Sequence, residues 1–161
     1  MRFKPPAPGS DIGWRVEFRS MDIQLTDHEN AAYSTFIVLL ARAILHFDLN
    51  FYIPLSKVDE NMITAQKRNA ALDGKFWFRN QVFEGTLFLI LAEDDISKEY
   101  GRYTLAEIMD GTTSKEGICS IIERYLDEVD TPESTRQILK DHVNIVREKA
   151  IGKRKTGAAG I

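Results

Sequence analysis

Bulky and polar residues alternate through the segment SDIGWRVEFRSMDIQ. Trp14, Val16 and Phe18 take the even positions, and Arg15, Glu17 and Arg19 the odd ones. Successive side chains of a strand point to opposite faces, so a strand with one buried face is expected over 12–25. Past Phe18 the apolar residues move to odd positions, at Met21, Ile23 and Leu25. Such a switch carries the buried face across the sheet and predicts a bulge or bend near Ser20. Ahead of this strand, FKPPAPGSD holds Pro5, Pro6 and Pro8 and reads as an extended lead-in.

The period then changes. Thr26 and Glu29 have the spacing of a capping box. Behind them Tyr33, Phe36, Ile37, Leu40, Ile44 and Phe47 recur three and four apart, the stripe of a core-facing helix that ends near Asp48. A second helix is expected from Ser56, with Asp59 and Glu60 in its first turn, Lys67 and Arg68 near its end, and Asp73-Gly74 as its stop. KFWFRNQVF reads as a strand with Phe76 and Phe78 on one face and Trp77 and Arg79 on the other. TLFLILA is a buried strand or a helical segment; periodicity leaves both open. From EDDISKEYGRY onward the pattern is helical. Thr104 and Glu107 cap a short helix that stops at Gly111. Ile118, Ile121, Ile122 and Tyr125 mark the next helix. Thr131-Pro132 opens the last, with Ile138, Leu139, Val143 and Val146 as its stripe.

Composition narrows the class. A chain of 161 residues, 43% hydrophobic and 28% charged, can build one ordinary domain with a core. A net charge of −3 argues against a nucleic-acid partner. The single cysteine, Cys119, cannot form an intramolecular disulfide and suits a reducing compartment. The opening residues lack the apolar segment of a signal peptide. The apolar run YSTFIVLLARAILHF contains Arg42 and is shorter than the ~20 residues of a membrane span. A soluble, cytoplasmic protein with no membrane partner is expected.

Few standard chemical signatures are present. The chain has no GxGxxG or Walker-type phosphate loop, no HExxH or CxxC zinc pattern and no GxSxG elbow. His28, His46 and His142 are scattered on expected helices and read as structural or solvent-facing. Cys119, among Gly117, Ile118 and Ile121, reads as a small buried hydrophobe. Arg15, Glu17 and Arg19 are different: they share one strand face over roughly 13 Å. Glu17 offers a hard oxygen suited to Mg²⁺, and the two guanidinium forks suit phosphate or carboxylate. A solvated charged face with local ion pairs explains the same pattern, and the pattern does not choose between them.

The wording of the segment does more. MRFKPPAPGSDIGWRVEFRSMDIQLTDHENAAYSTFIVLLARAIL, followed by IPLSKVDENMITAQKRNAAL and KFWFR, closely resembles the eukaryotic glutamate–cysteine ligase family, catalytic subunit, in its C-terminal portion. The likeness returns more weakly in YTLAEIMDG, KEGICSIIERYLDE and TRQILKDHVNIVREKA, and so covers most of residues 1–150. It implies ATP-dependent joining of the γ-carboxylate of L-glutamate to L-cysteine through an acyl phosphate, with Mg²⁺, as the first step of glutathione synthesis. It implies an α+β fold in which antiparallel strands and packed helices belong to a larger cupped sheet, with the active site in the concavity. On that likeness Glu17 is a metal ligand and Arg19 a substrate- or nucleotide-binding residue. Arg15 is either a further binding residue or an ion-pair partner, and Trp14, Val16 and Phe18 are buried against helices. Lys57, Asp59, Glu60 and Asn61 of the SKVDENM helix either support the site or belong to a helix terminus. The family's chains are several times longer, Met1 matches an internal methionine, and 151–161 has no counterpart and reads as a disordered tail. This chain alone is therefore expected to be inactive. The alternative is a non-catalytic form acting as a subunit-binding module, with the family's modifier subunit as a partner.

Overall fold

The computed structural model describes residues 2–17, 21, 23–83 and 99–156. Three antiparallel two-stranded sheets and six helices alternate along them, a mixed arrangement compatible with α+β. Strands β1 (Arg2–Lys4) and β2 (Arg15–Glu17) pair as a ribbon. Helix α1 (Asp27–Phe47) follows, then α2 (Leu55–Ala65), the single turn α3 (Ala70–Asp73) and strand β3 (Lys75–Arg79). Strand β4 (Tyr100–Thr104) pairs with β3, and α4 (Leu105–Asp110) leads into the short hairpin β5 (Gly111–Thr112) and β6 (Lys115–Glu116). Helices α5 (Ile118–Glu128) and α6 (Glu133–Ala150) complete the order.

Local chemistry sets several boundaries. Thr26 accepts from the Glu29 N–H at 3.2 Å at the start of α1, and Asp48 ends that helix in the left-handed region at φ 49°. Thr104 and Glu107 form a complete capping box on α4, and Gly111 ends it at φ +88°. Helix α1 lies along α6 and against α5, and α4 closes the other side of α5 and α6. Phe36, Leu39, Ile108, Met109, Ile118, Ile122, Leu126, Val143 and Val146 form the buried centre. At 21 residues α1 is, by length and composition, long enough to cross a bilayer, longer than the run read from sequence. Its inner face of Ala32, Phe36, Leu39 and Ala43 is buried, Phe36 and Leu39 in this core and Ala43 in a second cluster with Leu49, Val82 and Ile121.

Several expectations are corrected. The stretch YGRYT is strand, because its backbone pairs residue by residue with Lys75–Arg79. Helix α2 starts at Leu55 after Pro54, so Ser56 caps nothing, and it ends at Ala65, before Lys67 and Arg68. On the last helix Ile138 is 57% exposed, while Leu139, Val143 and Val146 face the core. Arg79, on the strand face opposite Phe76 and Phe78, is 2% exposed; it reaches Glu99 Oε2 at 2.9 Å and the Tyr52 and Gln81 carbonyls. Among the described residues of 12–25, only Arg15–Glu17 are strand. Trp14 and Val16 are 70% and 43% exposed, because among the described residues no helix packs closely on the two-stranded ribbon. Phe18, Arg19, the bend expected at Ser20 and the TLFLILA run lie outside the described residues. Residues 151–156 follow α6 in a turn in which Arg154 Nη2 meets Glu148 Oε2 at 3.0 Å.

Candidate functional site

The candidate site is built on the ribbon. Its register sets Lys4 opposite Arg15, Phe3 opposite Val16 and Arg2 opposite Glu17. Residues directly opposite share a face, so Lys4, Arg15 and Glu17 stand together on one side, and Phe3 and Val16 on the other. Lys4 Nζ is 2.6 Å from Glu17 Oε2. Two like charges directly opposite, Lys4 and Arg15, repel; the Glu17 carboxylate diagonal to Lys4 offsets that repulsion. Of the three residues expected here, the structure brings Arg15 and Glu17 onto one face, and Arg19 falls outside the described residues.

Lys4 was missed in the sequence reading. It lies eleven residues before Arg15, across a proline-rich connection, and only strand pairing brings the two together. The available signal was RFK on one side of PPAP and RVE on the other, each with one apolar residue between polar ones.

The SKVDENM helix has a different task. Asn61 Oδ1 accepts from the Trp77 N–H at 2.6 Å and its Nδ2 donates to the Trp77 carbonyl at 2.9 Å. Trp77 Nε1 donates to Glu60 Oε2 at 2.6 Å, and Lys57 Nζ donates to Glu60 Oε1 at 2.8 Å. The hydrogen bonds from Lys57 and then from Trp77 lower the Glu60 pKa. Lys57 also lies 4.2 Å over the Trp77 ring. These side chains therefore dock α2 onto β3, while Asp59 is exposed.

The remaining candidates are accounted for by packing. His46 Nε2 lies 2.9 Å from Glu128 Oε2, and His142 Nδ1 lies 3.1 Å from Thr35 Oγ1. The Cys119 thiol is buried, and burial pushes its pKa up to about 12, so it is a packing group and not a nucleophile. Among the described residues no three His, Cys, Asp or Glu side chains gather into a complete metal site. Glu17 fits Mg²⁺ as one member of a set: its partly exposed carboxylate supplies hard oxygen, and such ions are held by one or two carboxylates plus substrate phosphates.

Comparison with known proteins decides the family. The family model described as "Glutamate-cysteine ligase" matches residues 1–161. The chain belongs to the glutamate–cysteine ligase family. It is 44% identical over 164 residues to "Glutamate--cysteine ligase" of Schizosaccharomyces pombe, covering 100% of this chain and 24% of that relative. It is 44% identical over 166 residues to "Glutamate--cysteine ligase catalytic subunit" of Homo sapiens, covering 98% and 26%. The ligase of Candida albicans is 61% identical over 87 residues, covering 50% of this chain. This member of the family thus spans about a quarter of the length of the curated relatives it matches. No solved structure matches it.

Proposed function

We propose that this chain supplies one wall of the active site of an ATP-dependent ligase that joins the γ-carboxylate of L-glutamate to the amine of L-cysteine. The observation that carries the reading is the single ribbon face on which Lys4, Arg15 and Glu17 meet, in a chain matched throughout by the family. In the reaction a γ-carboxylate oxygen attacks the terminal phosphorus of ATP and ADP leaves. The cysteine amine then attacks the acyl carbon and phosphate departs with that oxygen. Arg15 and Arg19 provide fork geometry for phosphate or carboxylate, which orients the groups. Glu17 would hold Mg²⁺, whose charge offsets that of the phosphates. Lys4 keeps the Glu17 carboxylate aimed along the ribbon.

One carboxylate and its cationic neighbours cannot hold the metal, place ATP and select glutamate together, so the chain is inactive in isolation. The exposed Trp14, Val16 and Phe3 support the same view: in the complete ligase this face is covered, and the ribbon belongs to a larger cupped antiparallel sheet. The lone buried thiol accords with a cytoplasmic location.

The test supplies glutamate labelled with ¹⁸O in its γ-carboxylate, together with cysteine and Mg·ATP, to the complete ligase that contains this segment. Labelled phosphate and γ-glutamylcysteine in equal amounts are expected, and neither from the purified 161-residue chain. γ-Glutamylcysteine made by the 161-residue chain alone, or unlabelled phosphate from the ligase, overturns the reading.

A further inference from the structure

Seven residues past Glu17 the chain is clasped at Gln24. Its N–H donates to Asn30 Oδ1 at 2.9 Å, and its carbonyl accepts from Asn30 Nδ2 at 3.2 Å. The same Nδ2 donates to the Thr26 carbonyl at 2.9 Å, so the clasp is anchored on the first turn of α1. A second clasp comes from the far end of the chain. Lys149 Nζ, on the last turn of α6, donates to Gln24 Oε1 at 2.7 Å and lies 2.9 Å from Glu29 Oε1. It also stands 5.7 Å from the Tyr33 ring.

Lys149 is 4% exposed and sits beside the apolar stripe of Val143, Val146 and Ala150. An apolar side chain of similar volume would pack there at less cost, since burying an ammonium sacrifices hydration that its partners only partly return. Geometry is what the ammonium adds. It ties the end of α6, the start of α1 and Gln24 to a single point, and only hydrogen-bonding partners in that arrangement satisfy it.

We propose that Lys149 is a positioning residue: through Gln24, seven residues past Glu17, it sets how Glu17 is presented to the metal–nucleotide. This rests on the ligase reading above. Its consequence is that a residue more than a hundred positions from Glu17 sets the metal requirement of the reaction. Groups that hold a metal ligand in orientation commonly affect metal affinity by about 10- to 100-fold when removed.

The experiment measures kcat, KM for ATP and the half-saturating Mg²⁺ concentration in the complete ligase carrying this segment, with thermal unfolding in parallel. The variants are Lys149→Met, Lys149→Arg, Gln24→Leu and Glu17→Gln. Lys149→Met and Gln24→Leu are each expected to raise half-saturating Mg²⁺ about tenfold, and Lys149→Arg to restore most of it. Gln24→Leu keeps the Lys149–Glu29 pair and so tests the link to the strand even where Lys149→Met does not fold. Lowered melting temperatures with unchanged Mg²⁺ dependence in both variants would overturn the positioning role and leave the ligase reading standing. An unchanged Mg²⁺ dependence in Glu17→Gln would instead remove the metal role of Glu17, and this inference with it.

Discussion

Lys115 carries a charge into the core, and its removal makes a quantitative test. The residue is 7% exposed, and among the described residues its Nζ has no hydrogen-bond partner. It sits 3.9 Å from each of the Phe78 and Tyr103 ring centroids. Burial pulls its pKa from 10.5 down to about 8, against the opposing pull of the Glu107 carboxylate. That drop corresponds to on the order of 3 kcal/mol of lost stability at neutral pH as an upper bound. Two ring faces return about 1–2 kcal/mol together. Lys115→Met keeps the stem, removes the charge, and should stabilise the chain by about 1 kcal/mol at pH 7. The pH dependence has a definite sign. Below about pH 8 both folded and unfolded states hold the proton, and the full cost is present. Between about 8 and 10.5 only the unfolded state keeps it, so the wild-type chain gains stability as pH rises. Urea unfolding followed by circular dichroism at pH 7, 8.5 and 10 reads the difference between the two chains. The advantage of Lys115→Met should shrink with pH. A variant less stable than wild type at pH 7 would show that the rings outweigh desolvation and refute the reasoning.

Other consequences follow from the same packing. A Cβ at Gly117 would overlap the backbone of Met109 and Asp110, so Gly117→Ala should cost about 2–3 kcal/mol or more by overpacking, read by urea unfolding. The Cys119 thiol, with its pKa raised to about 12, should react with iodoacetamide at pH 8 roughly 100-fold more slowly in the folded chain than in urea. The Lys149 hydrogen bond lowers the Glu29 pKa from 4.5; that pair therefore stabilises the fold above about this value and fails as pH falls through the lower folded value. Glu29→Gln should accordingly flatten the acid limb of the stability profile, measured by fluorescence unfolding between pH 6 and 2.

The parts of the fold set by near neighbours in sequence were legible. Thr26 and Thr104 cap the helices their spacing implied, and Asp48 and Gly111 stop them, because a cap or stop is decided within a few residues. Parts set by distant partners were not. Tyr100–Thr104 reads as helical beside its charged neighbours and becomes strand because it pairs with Lys75–Arg79. The period of two put Arg79 on the Trp77 face but did not show that it is buried, because Glu99 and two carbonyls meet it there. Alternation correctly made Arg15–Glu17 a strand, but it says nothing of what covers the apolar side, and Trp14 and Val16 are exposed. The candidate site follows the same division. Arg15 and Glu17 were legible from a period of two, whereas Lys4 joins them only through strand pairing across the proline-rich connection. For the SKVDENM helix, an amide matched to both polar groups of the Trp77 backbone makes Asn61 a strand-docking residue, which its sequence context left open.

The metal-ligand role proposed for Glu17 in a ligase has a direct test. The most direct measurement is a Mn²⁺ titration, with Mn²⁺ standing in for Mg²⁺, of the complete ligase carrying this segment in the presence of ATP. Free metal is followed by electron paramagnetic resonance in the wild type and in Glu17→Gln. Metal binding at least about tenfold weaker in the variant, at unchanged melting temperature, is expected. Equal Mn²⁺ affinity in the two proteins would contradict it.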